Sequence, residues 1–106
     1  MENLVACALL KEIHRAADVE GENFDLHYVR NKDGYELDFL VTRDKRPQAL
    51  IEVKWQDSTL TPNFKKLMPD VRCARIQVVG ELAQNKSYPS GERIVSAIDF
   101  LAELAF

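Results

Sequence analysis

Residues 49–55 read ALIEVKW, an apolar run interrupted by two charged side chains, Glu52 and Lys54. The mostly aliphatic composition predicts a strand in the interior of a sheet. Side chains two residues apart in a strand point the same way, so Glu52 and Lys54 share one face while Ile51 and Val53 share the other. Burying a charge is costly unless it is paired or bound to a metal, so this strand predicts partners for both charges.

Two further strands precede this segment. Residues 24–30 read FDLHYVR and show the alternation of period two that is typical of a strand. Residues 35–41 read YELDFLV, and their apolar content is also typical of a strand. Between them, the turn sequence NKDG predicts a hairpin in which Gly34 adopts a positive φ. The polar residues 43–47 predict a connection to the third strand.

The remaining chain is predicted to contain further helices and strands. Thr61 followed by Pro62 predicts a helix with Thr61 as N-cap, which Pro69 stops after Met68. Ser96 begins a segment like a capping box and opens a last helix. The other predicted bounds are a first helix at 2–18, a strand at 74–80, a surface loop at 81–92, a short edge strand at 93–95 and a last helix ending near 105.

This order predicts the α/β (α+β) class: a mixed sheet of four or five strands flanked by helices, in the order αβββαβ(β)α. The helix between the third and fourth strands favours parallel pairing of those two through a right-handed crossover. The first helix packs either on the face of Ile51 and Val53 or on the opposite face near Glu52, and both placements stay open. The chain of 106 residues fits one domain spanning 1–106.

Asp38, in the second strand, is the third charged residue of the candidate site. If the second and third strands form a hairpin, Asp38 comes close to Glu52, and two adjacent carboxylates repel unless a cation lies between them. Such oxygen ligands suit Mg²⁺. A lysine beside them, Lys54, can act on an attacking water or on phosphate charge. The alternative is structural: Glu52 and Lys54 form a surface pair, or Asp38 and Lys54 form only a salt bridge.

Charge is unevenly distributed along the chain. The net charge is −3, which is not typical of a nucleic-acid-binding protein. Residues 43–75, however, carry eight basic and four acidic side chains, a net charge of +4. Arg43, Lys65 and Lys66 are therefore candidates for contacts with the phosphates of nucleic acid, the alternative being a solvated surface.

Cysteine usage and hydropathy bear on location. Cys7 and Cys73 match no zinc spacing and are interpreted as reduced thiols. No apolar run approaches the ~20 residues needed to cross a bilayer, and Glu2 and Asn3 directly after Met1 are unlike a signal peptide. The sequence therefore predicts a cytoplasmic protein without a membrane partner.

Aromatic residues flank the candidate acids in the sequence. Tyr28, Tyr35, Phe39 and Trp55 all lie in or next to the first three predicted strands. Two interpretations stay open for them: side chains of the core or half-buried sheet, and platforms on which nucleic-acid bases stack.

Three stretches together resemble a known family: ENLV at 2–5, LHYVRNKDGYELDFLV at 26–41 and IEVKW at 51–55. Asp38 followed by Glu52-Val53-Lys54 resembles the motif of the PD-(D/E)xK superfamily of metal-dependent nucleases. More narrowly, the chain resembles the uncharacterised C-terminal domain that follows the AAA-type ATPase module in many bacterial and archaeal ATPases. The resemblance covers nearly the whole chain, and its middle stretch is the specific part.

The resemblance implies a restriction-endonuclease-like core that cleaves DNA or RNA with Mg²⁺ or Mn²⁺. Asp38, Glu52 and Lys54 would be catalytic, and Asp38 and Glu52 would hold the metal. Glu2 occupies the position of a third ligand contributed by the first helix, or is an acid favoured by the helix dipole. Unlike many active nucleases, this chain has Leu37 rather than proline before the aspartate.

A non-catalytic role is the alternative function. In that case the domain is an inactive nuclease-fold module of an AAA-type ATPase that binds nucleic acid or a partner protein. The 106 residues contain no phosphate-binding loop of the form GxxxxGK(S/T), so the ATPase module itself would be another segment or chain. The oligomeric state stays open, and an exposed sheet edge near 93–95 is one candidate for self-association.

Overall fold

The computed structural model describes residues 2–21, 23–30, 34, 36–56, 59–67, 69–80 and 85–104, and only the backbone of residues 2, 20, 30 and 36. Within these residues the chain forms three α-helices and six strands. Their bounds are α1 Glu2–Arg15, β1 Phe24–Arg30, β2 Glu36–Arg43, β3 Arg46–Lys54, α2 Asn63–Lys66, β4 Ala74–Val79, β5 Lys86–Ser87, β6 Glu92–Ser96 and α3 Ala97–Glu103.

The six strands form one mixed sheet in the order β1-β2-β3-β4-β6-β5. Strands β1, β2 and β3 are successively antiparallel, whereas β3, β4 and β6 are parallel neighbours. The predicted α/β (α+β) class and the parallel pairing of the third and fourth strands are thus confirmed. A parallel pair needs a crossover connection, and the segment containing α2 provides it between β3 and β4.

The sheet differs from the prediction at its far edge. Residues 93–95 belong to β6, which lies inside the sheet between β4 and β5, so the predicted edge strand at this position was wrong. The two residues of β5 pair antiparallel with β6 and occupy the edge, although this region was predicted to be a loop. Residues 93–95, the candidate edge for self-association, are therefore already paired with a strand on each side.

The two faces of the sheet carry separate cores. The larger core lies between the sheet and helices α1 and α3, and its fully buried side chains include Val5, Leu9, Val41, Ile51 and Val78. The smaller core lies on the opposite face beneath α2 and consists of Leu37, Leu50, Phe64 and Leu67. Helix α1 therefore packs on the face of Ile51 and Val53, not on the face of Glu52.

Helix α1 follows the apolar periodicity that predicted it. The positions that face the sheet recur at helical spacing and include Val5, Leu9 and Ile13, while Leu10 is exposed. The chain continues as a π-helical turn over Ala16–Glu20 and stops at Gly21, whose φ of 69° is left-handed. Glycine adopts this conformation without steric cost, so it terminates the helix where the sequence indicated.

The connection between β2 and β3 is tighter than predicted. Residues 43–47 were expected to form a polar linker, but the strands continue to Arg43 and from Arg46, leaving a two-residue turn. Asp44 and Lys45 have φ values of 50° and 67°. Two successive positive φ angles match the twist of a hairpin, which is why the turn is short despite its lack of glycine.

Replacing Lys45 by glycine is expected to stabilise the protein. A lysine in the left-handed region is strained, and glycine relieves that strain at some cost in unfolded-state entropy, so the expected net gain is about 0.5–1 kcal/mol. Urea unfolding of parent and Lys45→Gly measures the free energy of unfolding directly. An unchanged or lower midpoint would contradict a strained turn.

The short helix α2 also departs from the prediction. Its N-cap is Pro62 rather than Thr61, and the helix ends at Lys66. The Thr61 hydroxyl accepts a hydrogen bond from the Asn63 amide at 3.3 Å, so Thr61 still satisfies a free donor near the helix start. Met68, the predicted last residue, lies outside the described residues. A helix of four residues has little intrinsic stability, so other side chains must hold it.

Helix α3 begins as predicted. Ser96 Oγ accepts a hydrogen bond from the Asp99 amide at 3.1 Å, as expected of an N-cap serine. The helix ends at Glu103, before the predicted residue 105, which lies outside the described part. In the β1–β2 turn, Gly34 has the predicted positive φ, at 87°, while residues 31–33 are not described.

None of the helices in the described part of the chain is long and apolar enough to cross a membrane.

Candidate functional site

Strand β2 carries a bulge at the candidate aspartate. Its pairing with β1 changes from His27↔Leu40 to Val29↔Leu37, so β2 contains one extra residue over this interval. The bulge places Leu37 in the core beneath α2 and Phe39 in the core beneath α1. Asp38 lies between Leu37 and Phe39, whose side chains are buried on opposite faces of the sheet, and is itself half-buried. Bulges of this kind redirect side chains next to functional sites.

The carboxylate of Asp38 binds the backbone of β3. Pairing between β2 and β3 ends at Phe39↔Ile51, and beyond that point the Val53 amide donates to Asp38 Oδ2 at 2.7 Å. The side chain thus takes the place that a backbone carbonyl would hold in a regular ladder. The Val53 nitrogen belongs to the peptide bond that follows Glu52, so the structure brings Asp38 directly beside the Glu52 backbone.

Glu52 and Lys54 lie on the α2 side of β3, together with Leu50. Glu52 is only 7% exposed, which is unusual for a carboxylate, and Lys54 is half-buried. Among the ion pairs of the described residues, none joins Asp38 to Lys54, contrary to the simple salt-bridge interpretation. The predicted hairpin geometry therefore brings Asp38, Glu52 and Lys54 to adjacent positions on two strands.

These residues lie at the carboxyl ends of the parallel strands. Lys54 is the last residue of β3, and Val79 and Ser96 end β4 and β6. Because β2 runs antiparallel to β3, the beginning of β2, with Asp38, reaches the same end of the sheet. Ligands bind at this end in open α/β sheets, so the position suits a functional site.

Glu2, the candidate third ligand, begins helix α1, but its side chain lies outside the described part of the structure. Among the side chains that the structure does describe, no group of three or more His, Cys, Asp or Glu residues converges to hold a metal. Asp38 and Glu52 are the two candidate metal ligands whose side chains the structure describes.

The three candidate phosphate-binding residues do not cluster. Lys65 and Lys66 are exposed on α2, above the sheet face that carries Glu52. Arg43 ends β2 at the opposite end of the sheet, five residues and roughly 17 Å along the strand from Asp38. Its guanidinium carbon lies 5.9 Å from the centre of the Phe24 ring. The structure thus places Arg43 away from the acids.

Lys65 has an acidic neighbour on β6. Glu92 is buried, and a hydrogen bond from the Ser90 hydroxyl holds the pKa of Glu92 below its ordinary value, with the positive charges of Lys65 and Arg75 adding to the effect. Part of the basic charge on α2 is therefore balanced within the fold. Nearby, burial raises the pKa of the Cys73 thiol.

Arg75, on β4, holds the crossover in place. Its guanidinium donates to the carbonyl oxygens of Phe64 at 3.1 Å, Val71 at 3.1 Å and Cys73 at 3.4 Å. These carbonyls lie in α2 and in the segment that leads from α2 to β4. One side chain therefore satisfies acceptors that the four-residue helix cannot satisfy itself.

Gln77 binds the other half of the crossover. It is completely buried; its Oε1 accepts from the Thr61 amide at 2.8 Å, and its Nε2 donates to the Thr59 carbonyl at 2.9 Å. In the parallel register Gln77 lies beside Glu52. Residues 59–61 are thereby held over the sheet next to the buried carboxylate.

Sequence reasoning missed both β4 side chains. Arg75 and Gln77 alternate with Ile76 and Val78 in an otherwise apolar strand, the same signal that singled out Glu52 and Lys54. This alternation could therefore have identified Arg75 and Gln77 as polar side chains within the sheet. Their partners are backbone groups, which a sequence pattern does not identify.

A cavity of about 230 Å³ lies on the other face of the sheet, against α3. Its walls are largely apolar and include Ile51, Ile76, Val95 and Phe100, with Arg93 and Glu103 at its rim. The guanidinium of Arg93 lies 3.9 Å from the Glu103 carboxylate. Neither Asp38 nor Glu52 lines this cavity.

Comparison with known proteins identifies the family of the chain. No curated protein and no solved structure matched the chain significantly. A family model described as a domain of unknown function, DUF4143, matches residues 1–100. The match covers all six strands and most of α3, and so the chain belongs to the DUF4143 family.

Proposed function

We propose that this chain is a nuclease-like domain that hydrolyses phosphodiester bonds of DNA or RNA with the help of Mg²⁺ or Mn²⁺. One observation carries the proposal: the Asp38 carboxylate accepts the Val53 amide hydrogen and is thereby fixed beside buried Glu52, with Lys54 on the same strand. Bulges are over-represented next to active sites, and the charge-assisted hydrogen bond from the Val53 amide holds the Asp38 carboxylate in one orientation, which favours a functional over a purely structural explanation.

The donor set fits a magnesium ion. Mg²⁺ in proteins is commonly bound through one or two carboxylates and keeps several waters. The Val53 amide occupies Oδ2 of Asp38, and within the described part of the chain no other hydrogen bond reaches Asp38, so Oδ1 is available to a ligand. Asp38 and Glu52 would hold the ion, and Glu2 is proposed as a third ligand because it occupies the motif position of the first-helix glutamate in the superfamily that the sequence resembles.

A bound Mg²⁺ supplies positive charge to phosphate oxygens and makes water more acidic. The residues of the chain supply the positioning. The hydrogen bond to Val53 fixes the orientation of the Asp38 carboxylate, and burial restricts that of Glu52. Lys54 carries an ammonium group that can orient an attacking water or stabilise charge on the phosphate.

Other features support the same proposal. The observed order, a helix, three antiparallel strands, a crossover helix and a parallel strand, agrees with a restriction-endonuclease-like core. We further propose an AAA-type ATPase module, in the same or a related chain, as the partner of this domain. A cytoplasmic location belongs to the proposal as well; the free thiols Cys7 and Cys73 suit it.

Replacing Lys54 by methionine is expected to reduce Mg²⁺-dependent cleavage by roughly 10²–10³-fold, because a positioned cation near the phosphate is lost while the half-buried stem is retained. Cleavage of labelled DNA and RNA by parent and variant measures this effect. Lys11→Met, on the exposed side of α1, is the matched control and should cleave like the parent. Equal cleavage by Lys54→Met would indicate a contaminating nuclease and contradict the proposal.

A second candidate function is an inactive nuclease-fold module that binds nucleic acid or a partner protein. The observation that favours it is that, among the described side chains, no group of three or more His, Cys, Asp or Glu residues comes together to hold a metal. This function predicts that the double variant Asp38→Ala, Glu52→Gln still shifts nucleic acid in a gel, and that the parent binds without cleaving. Cleavage by the parent that disappears in the double variant would exclude it.

A further inference from the structure

Two large aromatic side chains are exposed next to the candidate acids. Trp55 directly follows Lys54 and is 59% exposed, and Tyr28, on β1, is 77% exposed. Both were candidates for core or half-buried positions, and the structure places neither in the core. Phe39, in contrast, is 1% exposed and belongs to the core beneath α1.

Both rings lie next to the strands that carry the acids, β2 and β3. Tyr28 lies on β1 opposite the bulge of β2, and its ring centre is 5.7 Å from that of Phe39, the residue after Asp38. Trp55 lies at the end of β3, at the carboxyl end of the sheet. Strands β1 and β3 are two strand spacings apart, about 10 Å, with the Asp38 strand between them.

We propose that Tyr28 and Trp55 stack on unpaired bases, so that the substrate of the proposed site is single-stranded nucleic acid. Aromatic rings beside a cationic group are the features by which proteins bind single strands without strict sequence preference. Lys54 directly precedes Trp55 at the end of β3 and supplies the cationic group, whereas Lys65 and Lys66 lie on the opposite face of the sheet from Tyr28, whose ring contacts Phe39 of the core beneath α1. In a duplex the bases are paired and stacked on one another, so they cannot stack on the protein in this way.

Stacking predicts a direct optical signal. Trp55 is the single tryptophan of the chain, so tryptophan fluorescence reports on this one position. Titration of the metal-free parent with a single-stranded oligonucleotide of mixed sequence should quench the fluorescence with saturation, whereas the same sequence as a blunt duplex should quench it far less. No quenching by the single strand, or equal quenching by the duplex, would overturn the inference.

Binding by variants tests the role of the rings. Anisotropy of a labelled single-stranded oligonucleotide should show that Trp55→Ala and Tyr28→Ala each weaken binding by roughly 10-fold or more, as expected for the loss of one stacked base. Trp55→Phe retains a ring and should recover most of the affinity. Val19→Ala removes an equally exposed apolar side chain, 72% exposed, from the end of the helical segment that precedes β1, and should bind like the parent.

The inference uses the proposed site but does not depend on hydrolysis. Saturable quenching without cleavage would support single-strand binding while contradicting the nuclease activity. Cleavage of duplex and single strands at equal rates, without quenching, would support the nuclease activity while overturning the role of the aromatic pair.

Discussion

Glu52→Gln is expected to reduce Mg²⁺-dependent cleavage by about 10³-fold, equivalent to roughly 4 kcal/mol of transition-state stabilisation. The amide has nearly the same shape as the carboxylate, so it should fit the same buried position on β3. It lacks the negative charge that would hold a divalent cation at the proposed site. The loss should appear mainly as a lower maximal rate at saturating substrate, and higher Mg²⁺ concentrations should restore only part of it.

The matched control for this variant is Glu103→Gln. Glu103 lies on α3 beside the apolar cavity and is exposed, so the substitution changes charge equally without touching the candidate site. The free energy of unfolding of Glu52→Gln, measured by urea unfolding alongside the cleavage rates, separates a loss of folded protein from a loss of catalysis. A strongly destabilised Glu52→Gln that cleaves normally per folded molecule would show that Glu52 has a structural role.

Arg75→Ala is expected to destabilise the protein by about 3 kcal/mol, because hydrogen bonds from a charged donor are lost and backbone carbonyls near the crossover are left without it. Three carbonyl oxygens depend on this side chain: those of Phe64, Val71 and Cys73. Arg75→Lys should be intermediate, because an ammonium group cannot reproduce the geometry of the planar guanidinium.

Urea unfolding of both Arg75 variants tests this role. Arg72→Ala is the control, since Arg72 lies in the same segment but is exposed, and its free energy of unfolding should change by less than about 0.5 kcal/mol. If Arg75→Ala is as stable as Arg72→Ala, the crossover is held by the Phe64 and Leu67 side chains rather than by the guanidinium.

The sheet was predictable because its signals are local. The alternation in β1, the apolar run in β3 and the cap at Ser96 each specify their own element, and the structure has all three. The pairing of β2 with β3 follows from their short separation, and it is what brings Asp38 to Glu52. The fold and the position of these two acids could therefore be inferred from the sequence.

Other features depend on contacts between distant segments. The bulge at Asp38 arises from pairing with β1, and no sequence pattern reveals the one-residue shift. The turn at Asp44 and Lys45 lacks glycine, so a longer connection was the reasonable prediction. The hydrogen bond from Arg75 on β4 to the Phe64 carbonyl of α2 joins distant segments. The interior position of β6 depends on its pairing with β5. Burial of Glu52 and exposure of Trp55 likewise depend on how α1 and the crossover cover the sheet.

Calorimetric titration of Mg²⁺ tests the central claim most directly, because it measures metal binding at Asp38 and Glu52 independently of any substrate. The parent should bind Mg²⁺ with a saturable heat, and both Asp38→Ala and Glu52→Gln should lose that heat, while Glu103→Gln keeps it. Binding that is unchanged in the Asp38 and Glu52 variants, or absent from the parent both alone and with a single-stranded oligonucleotide, would contradict a metal site at these carboxylates.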